Sequence, residues 1–286
     1  MYKQYGSDHG KLIFYFHGIP GSLEEFAGIF NQIGILHQLK FVCLDRVSIP
    51  VEDNEKYFQT IAEEMIAVAQ GKPFHIIGFS LGTFIAMQVC RNLKNSKKDS
   101  PIVGQVHLVS AVAPLDGILG TQYLPYMAGR IVFRLARDYP IMFTGFVYFQ
   151  RILTYFCPQV LFQLICSDVR GNDVEIVKKS EFRLELIGSL KYCLLNNLHG
   201  YMRDIRAYVF PWLHTVSDLN SLRNMKKMYL WHGQLDNWTP LSMAHHLHSI
   251  LLPWNKPILS VFEDASHFSC LFEALPQIGK LISEDQ

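Results

Sequence analysis

Charge is scarce in this chain of 286 residues: Asp, Glu, Lys and Arg together make up 18%, and the formal net charge is +1. A balance so close to neutral gives bulk electrostatics no hold on nucleic acid or on an acidic partner. The basic cluster Arg91, Lys94, Lys97 and Lys98 reads as a solvated helix end and loop. With 49% hydrophobic residues, the chain is globular and not disordered. Paired cysteines are missing too. The six cysteines stand at 43, 90, 157, 166, 193 and 270 with no Cys-x-x-Cys spacing, so neither a zinc site nor a redox motif is indicated. Cys43, Cys90 and Cys193 sit in apolar runs and read as buried free thiols, which fits a reducing compartment and a cytoplasmic location. Long apolar runs are absent. The stretch Ile141–Cys166 is rich in aromatics, but Gln150, Arg151 and Pro158 interrupt it. Its uncharged runs fall short of the ~18 or more apolar residues of a spanning helix. The early run Leu12–Phe16 is short and leads straight into a turn motif, so no signal peptide is expected. No repeat and no low-complexity tract is visible, and the length suits one large domain or one domain with an insertion.

What is present is a rhythm. Short apolar runs at Leu12–Phe16, Phe41–Leu44, Phe74–Ile77, Gln105–Val109, Lys227–Trp231 and Ile258–Phe262 each lead into Gly, Pro, Asp or Ser. Helix-length patterns separate them, which implies βαβ units and a mostly parallel central sheet flanked by helices. The helical patterns cover Leu23–His37, with Ser22 and Glu25 spaced as a capping box, and Tyr57–Ala69, with Phe58, Ile61, Met65 and Val68 on one face. They also cover Leu81–Leu93 and Leu241–Leu251, the latter with Pro240 at its first turn. Between Pro114 and Arg206 the rhythm stops. Aromatics and helical stretches replace β signals, broken by the turn-like run from Asp168 to Asp173. An α/β core of residues 1–113 and 207–286, with a helical cap of residues 114–206 inserted after the strand near 105–110, is the simplest description.

Four motifs carry chemistry. Gly78-Phe79-Ser80-Leu81-Gly82 lies between an expected strand and an expected helix. A serine hydroxyl is a weak nucleophile until it is exposed beside a base, and a sharp strand-to-helix turn with small residues two places either side exposes it. His17-Gly18-Ile19-Pro20-Gly21-Ser22 ends the first strong strand, where backbone N–H groups can face a developing oxyanion. Trp231 to Pro240 places Asp236 after a strand and before a helix. Asp264-Ala265-Ser266-His267-Phe268 follows the last strand. The order Ser80, Asp236, His267 differs from the chymotrypsin and subtilisin orders.

In these four motifs and their order the chain resembles the α/β-hydrolase superfamily of capped, lipase- and esterase-like enzymes. The resemblance covers nearly the whole chain. It implies the α/β-hydrolase fold with its cap after Gln105–Val109. It also implies Ser80 as nucleophile, His267 as base, Asp236 as orienting acid, and the N–H groups of Ile19 and Leu81 as the oxyanion hole, with no metal and no organic cofactor. Two departures stand out. Many relatives carry Asp-x-Pro-Gly-x-Gly-x-Ser after the second strong strand, whereas this chain has the glycine-free Asp45-Arg46-Val47-Ser48-Ile49-Pro50. The leading antiparallel strands are missing or reduced to Met1–Tyr5.

The expected substrate is a small apolar carboxylic ester or thioester. Acyl transfer, amide hydrolysis and carbon–carbon hydrolysis remain open on the same triad, because the cap and not the triad decides among them. A non-catalytic ligand-binding protein of this fold is a further alternative. No nucleic-acid partner and no membrane span are expected, transient lipid contact by the cap is left open, and so is the oligomeric state. Asp116 and Asp264 are rivals to Asp236. His245, His246 and His248 read as a surface helix, since adjacent helical residues point in different directions, and His75 as a satisfied core histidine. The aromatics of 123–162 read equally as core packing and as pocket lining.

Overall fold

The computed structural model describes residues 1–95, 103–115, 120, 124–212 and 227–285. Seven strands form one sheet: β1 (Tyr2–Gly6), β2 (Lys11–Phe16), β3 (Leu39–Leu44), β4 (Phe74–Phe79), β5 (Val103–Val109), β6 (Lys227–Gly233) and β7 (Ile258–Phe262). Their order is β1-β3-β2-β4-β5-β6-β7. Only β1 runs antiparallel, pairing Tyr2 with Leu44 and Gly6 with Lys40 of β3. It occupies the segment to which the leading strands were expected to be reduced.

Both faces of the sheet are covered, which is why its strands read as continuous apolar runs rather than alternating ones. Along β2, Leu12, Phe14 and Phe16 point into a core with α2 (Asn54–Ala69) and α3 (Leu81–Asn95). Ile13 and Tyr15 point into the other core, with α1 (Ala27–His37) and the terminal helix (His267–Glu284). His75 lies buried in β4, and its Nδ1 accepts the Gln105 N–H at 3.1 Å.

The start of α1 departs from the sequence pattern. Ser22 and Glu25 do not form a capping box: the helix begins at Ala27, after Phe26 in the left-handed region (φ 59°). Burial decides this. Phe26 packs edge-on against Phe79 and Phe272, and Glu25 turns inward to accept the Tyr15 hydroxyl at 3.3 Å. Elsewhere Asp53 caps α2, accepting the Lys56 N–H at 2.8 Å, as short oxygen-bearing side chains do at helix starts.

The described elements between β5 and β6 are helical, joined by turns and irregular stretches: α4 (Met127–Asp138), α5 (Pro140–Phe156), α6 (Pro158–Ile165), α7 (Asp173–Ile176), α8 (Ser180–Lys191), a π turn (Tyr192–Asn196) and α9 (Leu198–Val209). Two further helices stand among the described residues, α10 (Leu241–Asn255) and α11 (His267–Glu284). Cys43, Cys90 and Cys193 are buried free thiols, as is Cys270. Lys97, Lys98 and Asp116 lie outside the described residues. Arg91 pairs with Glu55 at 2.8 Å.

Candidate active site

The chain visits β2 and β3 on one side and then crosses to β4 on the other. The crevice at the carboxyl ends of β2 and β4 is thus the switch point at which open α/β sheets bind ligands. Ser80 stands there, directly after β4, with φ 54°. A non-glycine residue in this region is strained and persists only where its surroundings fix it. Here the Ser80 N–H donates to Val109 O at 3.0 Å, and Thr83 N–H to Ser80 O at 2.9 Å. The flanking glycines are sterically required: a Cβ on Gly82 would stand 2.1 Å from Phe16 O, and one on Gly78 2.7 Å from Gly82 O. Leu81 opens α3, so its N–H has no intrahelical acceptor. Ile19, in the loop after β2, lines the same cavities as Ser80.

Asp236 and His267 come from the loops after β6 and β7, on the same edge of the sheet. Both are buried, and His267 Nδ1 lies 2.8 Å from Asp236 Oδ2. A carboxylate only accepts, so Nδ1 is the nitrogen that donates, and in the neutral ring the lone pair is that of Nε2. The other carboxylate oxygen, Oδ1, accepts the N–H groups of Trp238 and Thr239 at 2.9 Å each. The Thr239 hydroxyl lies 2.8 Å from Oδ2. Burial works against the Asp236 carboxylate, yet the facing His267, its hydrogen bond, His232 and the Thr239 N–H together hold its pKa below the usual value. His232 Nε2–H donates to Thr239 O at 2.6 Å, and burial keeps that ring neutral. Trp238 and Phe79 flank the His267 ring with centroids 5.1 and 5.0 Å away. Asp264, the rival acid, is exposed. His245 is exposed, while His248 bonds to Pro257 O at 3.0 Å.

Several supporting residues have no motif of their own. Asp173 of α7 caps the helix that begins with His267: its carboxylate accepts Phe268 N–H at 2.9 Å and Ser269 N–H at 2.7 Å. Negative charge at a helix N-terminus is favourable, and Asp173 was legible only as part of a turn. The glycine-free segment after β3 forms a short 3₁₀ turn (Arg46–Ser48) that sends Arg46 beneath the loop after β2. Arg46 is fully buried; its Nη1 donates to His17 Nε2 at 2.8 Å and its Nη2 to Gly18 O at 3.2 Å. His17 Nδ1–H bonds to Gly18 O at 2.8 Å, and burial, reinforced by Arg46, keeps its ring neutral. Arg46 Nε pairs with Asp204 of α9 at 3.2 Å, both side chains fully buried. The inserted helices thus reach the loop that carries Ile19.

Two cavities meet at Ser80 and share Ile19, Pro20 and Trp238. One, of about 380 Å³, also holds His267, Phe182, Glu25 and Glu185. Burial pushes Glu25 up to about 8, against the Tyr15 hydrogen bond and Arg46. The other, of about 790 Å³, is lined mostly by apolar groups of the inserted helices, among them Tyr126, Val132, Phe133 and Ile205. Of the aromatics between 123 and 162, Phe143 is core while Tyr126 and Phe133 line this cavity, so the segment holds both kinds.

Residues 12–117 match the family model described as thioesterase domain. No curated protein sequence matches the chain. Among solved structures, a bromoperoxidase from Bacillus anthracis superposes with a TM-score of 0.67 at 13% identity, covering 99% of this chain and 95% of that one. An α/β-hydrolase enzyme from a Medee basin deep-sea metagenome library superposes at 0.65 and 14% identity, covering 99% and 92%. An esterase from Exiguobacterium antarcticum gives 0.60 at 16% identity, covering 99% and 93%. At such identities the likeness speaks for the fold.

Proposed function

For this chain of α/β-hydrolase fold, we propose serine hydrolysis of carboxylic esters or thioesters with an apolar acyl or alcohol part. The observation that carries the reading is the buried Asp236–His267 hydrogen bond, opening on a cavity that it shares with a left-handed Ser80. Ser80 Oγ attacks the carbonyl carbon while His267 Nε2 takes its proton. The N–H groups of Ile19 and Leu81 receive the oxyanion, where fixed dipoles act most strongly. Asp236 holds the tautomer and steadies the imidazolium. The imidazolium then returns its proton to the leaving oxygen or sulfur. A water molecule, deprotonated by Nε2, attacks the acyl-enzyme and frees Ser80. The thioesterase-domain match over residues 12–117 keeps thioesters beside oxygen esters in this proposal.

Residues 114–206 act in it as a cap. The cavity that they line suits the apolar half of the substrate, and water exclusion strengthens every charge interaction at the reacting centre. The test is fluorophosphonate labelling of the pure protein, followed by a series of p-nitrophenyl esters from acetyl to octanoyl. Labelling at Ser80 that vanishes in Ser80→Ala, with kcat/KM rising toward medium chains, is the expected result. Absence of labelling in a folded protein removes the hydrolase reading, and an acetyl-favouring profile removes the apolar-substrate reading.

A further inference from the structure

Helix α5 is amphipathic in the wrong sense for a helix with water around it. Phe143, Val147, Gln150 and Thr154 form its buried face. The opposite face presents Ile141, Tyr148, Phe149, Ile152, Tyr155 and Phe156, with Ile141 87% and Phe156 74% exposed. The same surface continues over Met127 and Ile131 of α4 and over Val160 and Leu164 of α6, all exposed. Single exposed apolar residues are ordinary, but a contiguous field of them marks an interaction surface.

Charge around the field is mostly positive. Residues 124–166 contain Arg130, Arg134, Arg137 and Arg151 against one acid, Asp138, which pairs with Arg134 and Arg137; Asp168, just beyond, pairs with Arg170. Arg151 adjoins Ile152, and Arg134 continues the exposed row of Met127 and Ile131 along α4. The field also has an opening. Met127, Ile131, Phe149 and Leu164 line a cavity of about 1100 Å³. Its inner walls, Tyr126, Val132, Gln150 and Ile165, are shared with the cavity that reaches Ser80.

We propose that the outer face of α4–α6 docks on a lipid bilayer bearing anionic headgroups, and that the cavity beside Ser80 opens toward that bilayer. The docking stands on the surface alone; passage of a lipid-borne ester to Ser80 rests on the hydrolase reading. Aromatic and aliphatic side chains enter the acyl boundary while arginines at the rim meet phosphate. Among the described residues no helix is long and apolar enough to cross a membrane, so the contact is peripheral. A second copy of the chain fits less well. A twofold interface would set this arginine-rich rim against itself and would plug the cavity mouth.

The test is co-sedimentation of the full chain with large unilamellar vesicles of phosphatidylcholine and phosphatidylglycerol, 3:1, and with phosphatidylcholine alone. The comparison is with Ile141→Glu/Phe156→Glu, two well-exposed positions that line neither cavity. Wild type is expected to bind the anionic vesicles several-fold better than the neutral ones. The double variant should lose about tenfold or more of the partition coefficient, with unchanged circular dichroism and unchanged turnover of water-soluble p-nitrophenyl butyrate. No sedimentation of wild type, or equal sedimentation of the variant, overturns the proposal. So does a dimer in buffer that the same substitutions dissociate, without vesicle binding. Vesicle binding without Ser80 labelling upholds the docking face and removes the hydrolase reading; labelling without vesicle binding does the reverse.

Discussion

Helices α9 and α5 belong to the same inserted segment and solve opposite problems. Helix α9 buries charge. Arg203 and Asp204 lie inside the protein, with Arg203 donating to Ile49 O at 2.6 Å and Arg46 O at 2.9 Å, and stacking over Tyr57 at 3.5 Å. Gly200 lets its backbone touch the 3₁₀ turn, since a Cβ there would stand 1.8 Å from Val47 O. Helix α5 exposes what proteins usually bury. A buried charge is tolerable only when its partners are in place, so α9 is held in one position by many partners at once. An apolar face in water has no directional partner and lacks only cover. The inserted segment is therefore anchored through α9 and left open through α4–α6.

The largest effect expected on the anchored side comes from the acid. Asp236→Asn keeps the shape but favours the wrong tautomer of His267, and the same change in a serine protease sets the scale: kcat should fall about 10⁴-fold. The α5 variants should leave kcat on soluble esters unchanged. If steady-state kinetics show Asp236→Asn near wild type, the acid is another residue and the reading of the Trp231–Pro240 segment goes with it.

Next comes the link between α9 and the loop after β2. Arg46→Met removes one of the two guanidinium partners of Asp204 and leaves Arg203 at 3.2 Å, so the loss should stay below the about 3–5 kcal/mol of a buried charge left with no partner. Denaturant unfolding should show this loss, and the double variant Arg46→Met/Asp204→Leu should recover much of it. Without its guanidinium partner at Gly18 O, the loop that carries Ile19 should also lower kcat more than it changes KM. Equal stability of wild type and Arg46→Met would mean that α9 is not the anchor.

The smallest effect concerns Glu25. Its folded pKa of about 8 stands above the value of about 4.3 of an unfolded glutamate. The folded state therefore holds a proton that the unfolded chain has released. The associated stability is fully present below about pH 4.3 and is lost as pH rises through about 8. Glu25→Gln should flatten this slope and raise Tm relative to wild type by several degrees at pH 9, with little change at pH 4. Melting curves at both values distinguish this from a glutamate ionised throughout.

Much of this layout could be read before any coordinates. Five strands were anticipated within extensions of one or two residues at an end, because a strand buried on both faces writes a near-continuous apolar run; β7, a partly exposed edge strand, was anticipated at its full range. Ser80 was legible because its turn demands glycine at 78 and 82, a local steric rule that leaves a local mark. Asp236 and His267 were candidates through their places after strands, but the hydrogen bond between them joins residues from two loops. The family resemblance set Asp236 before Asp264, which stands only three residues ahead of His267.

The rest lay in contacts between distant segments. Ser22 and Glu25 had the spacing of a capping box, but packing of Phe26 against Phe79 and Phe272 overrode it. Arg46 and Asp204 are 158 positions apart, and neither announces a partner. Asp173 reads as one polar residue in a turn, although its carboxylate caps the His267 helix. Local rules, of period, turn and cap, were therefore enough to order the strands along the chain and to locate the elbow. Which buried charges meet, which acid faces the histidine and which apolar face stays uncovered depend on how distant segments pack, because long-range pairing leaves no periodic trace in the chain.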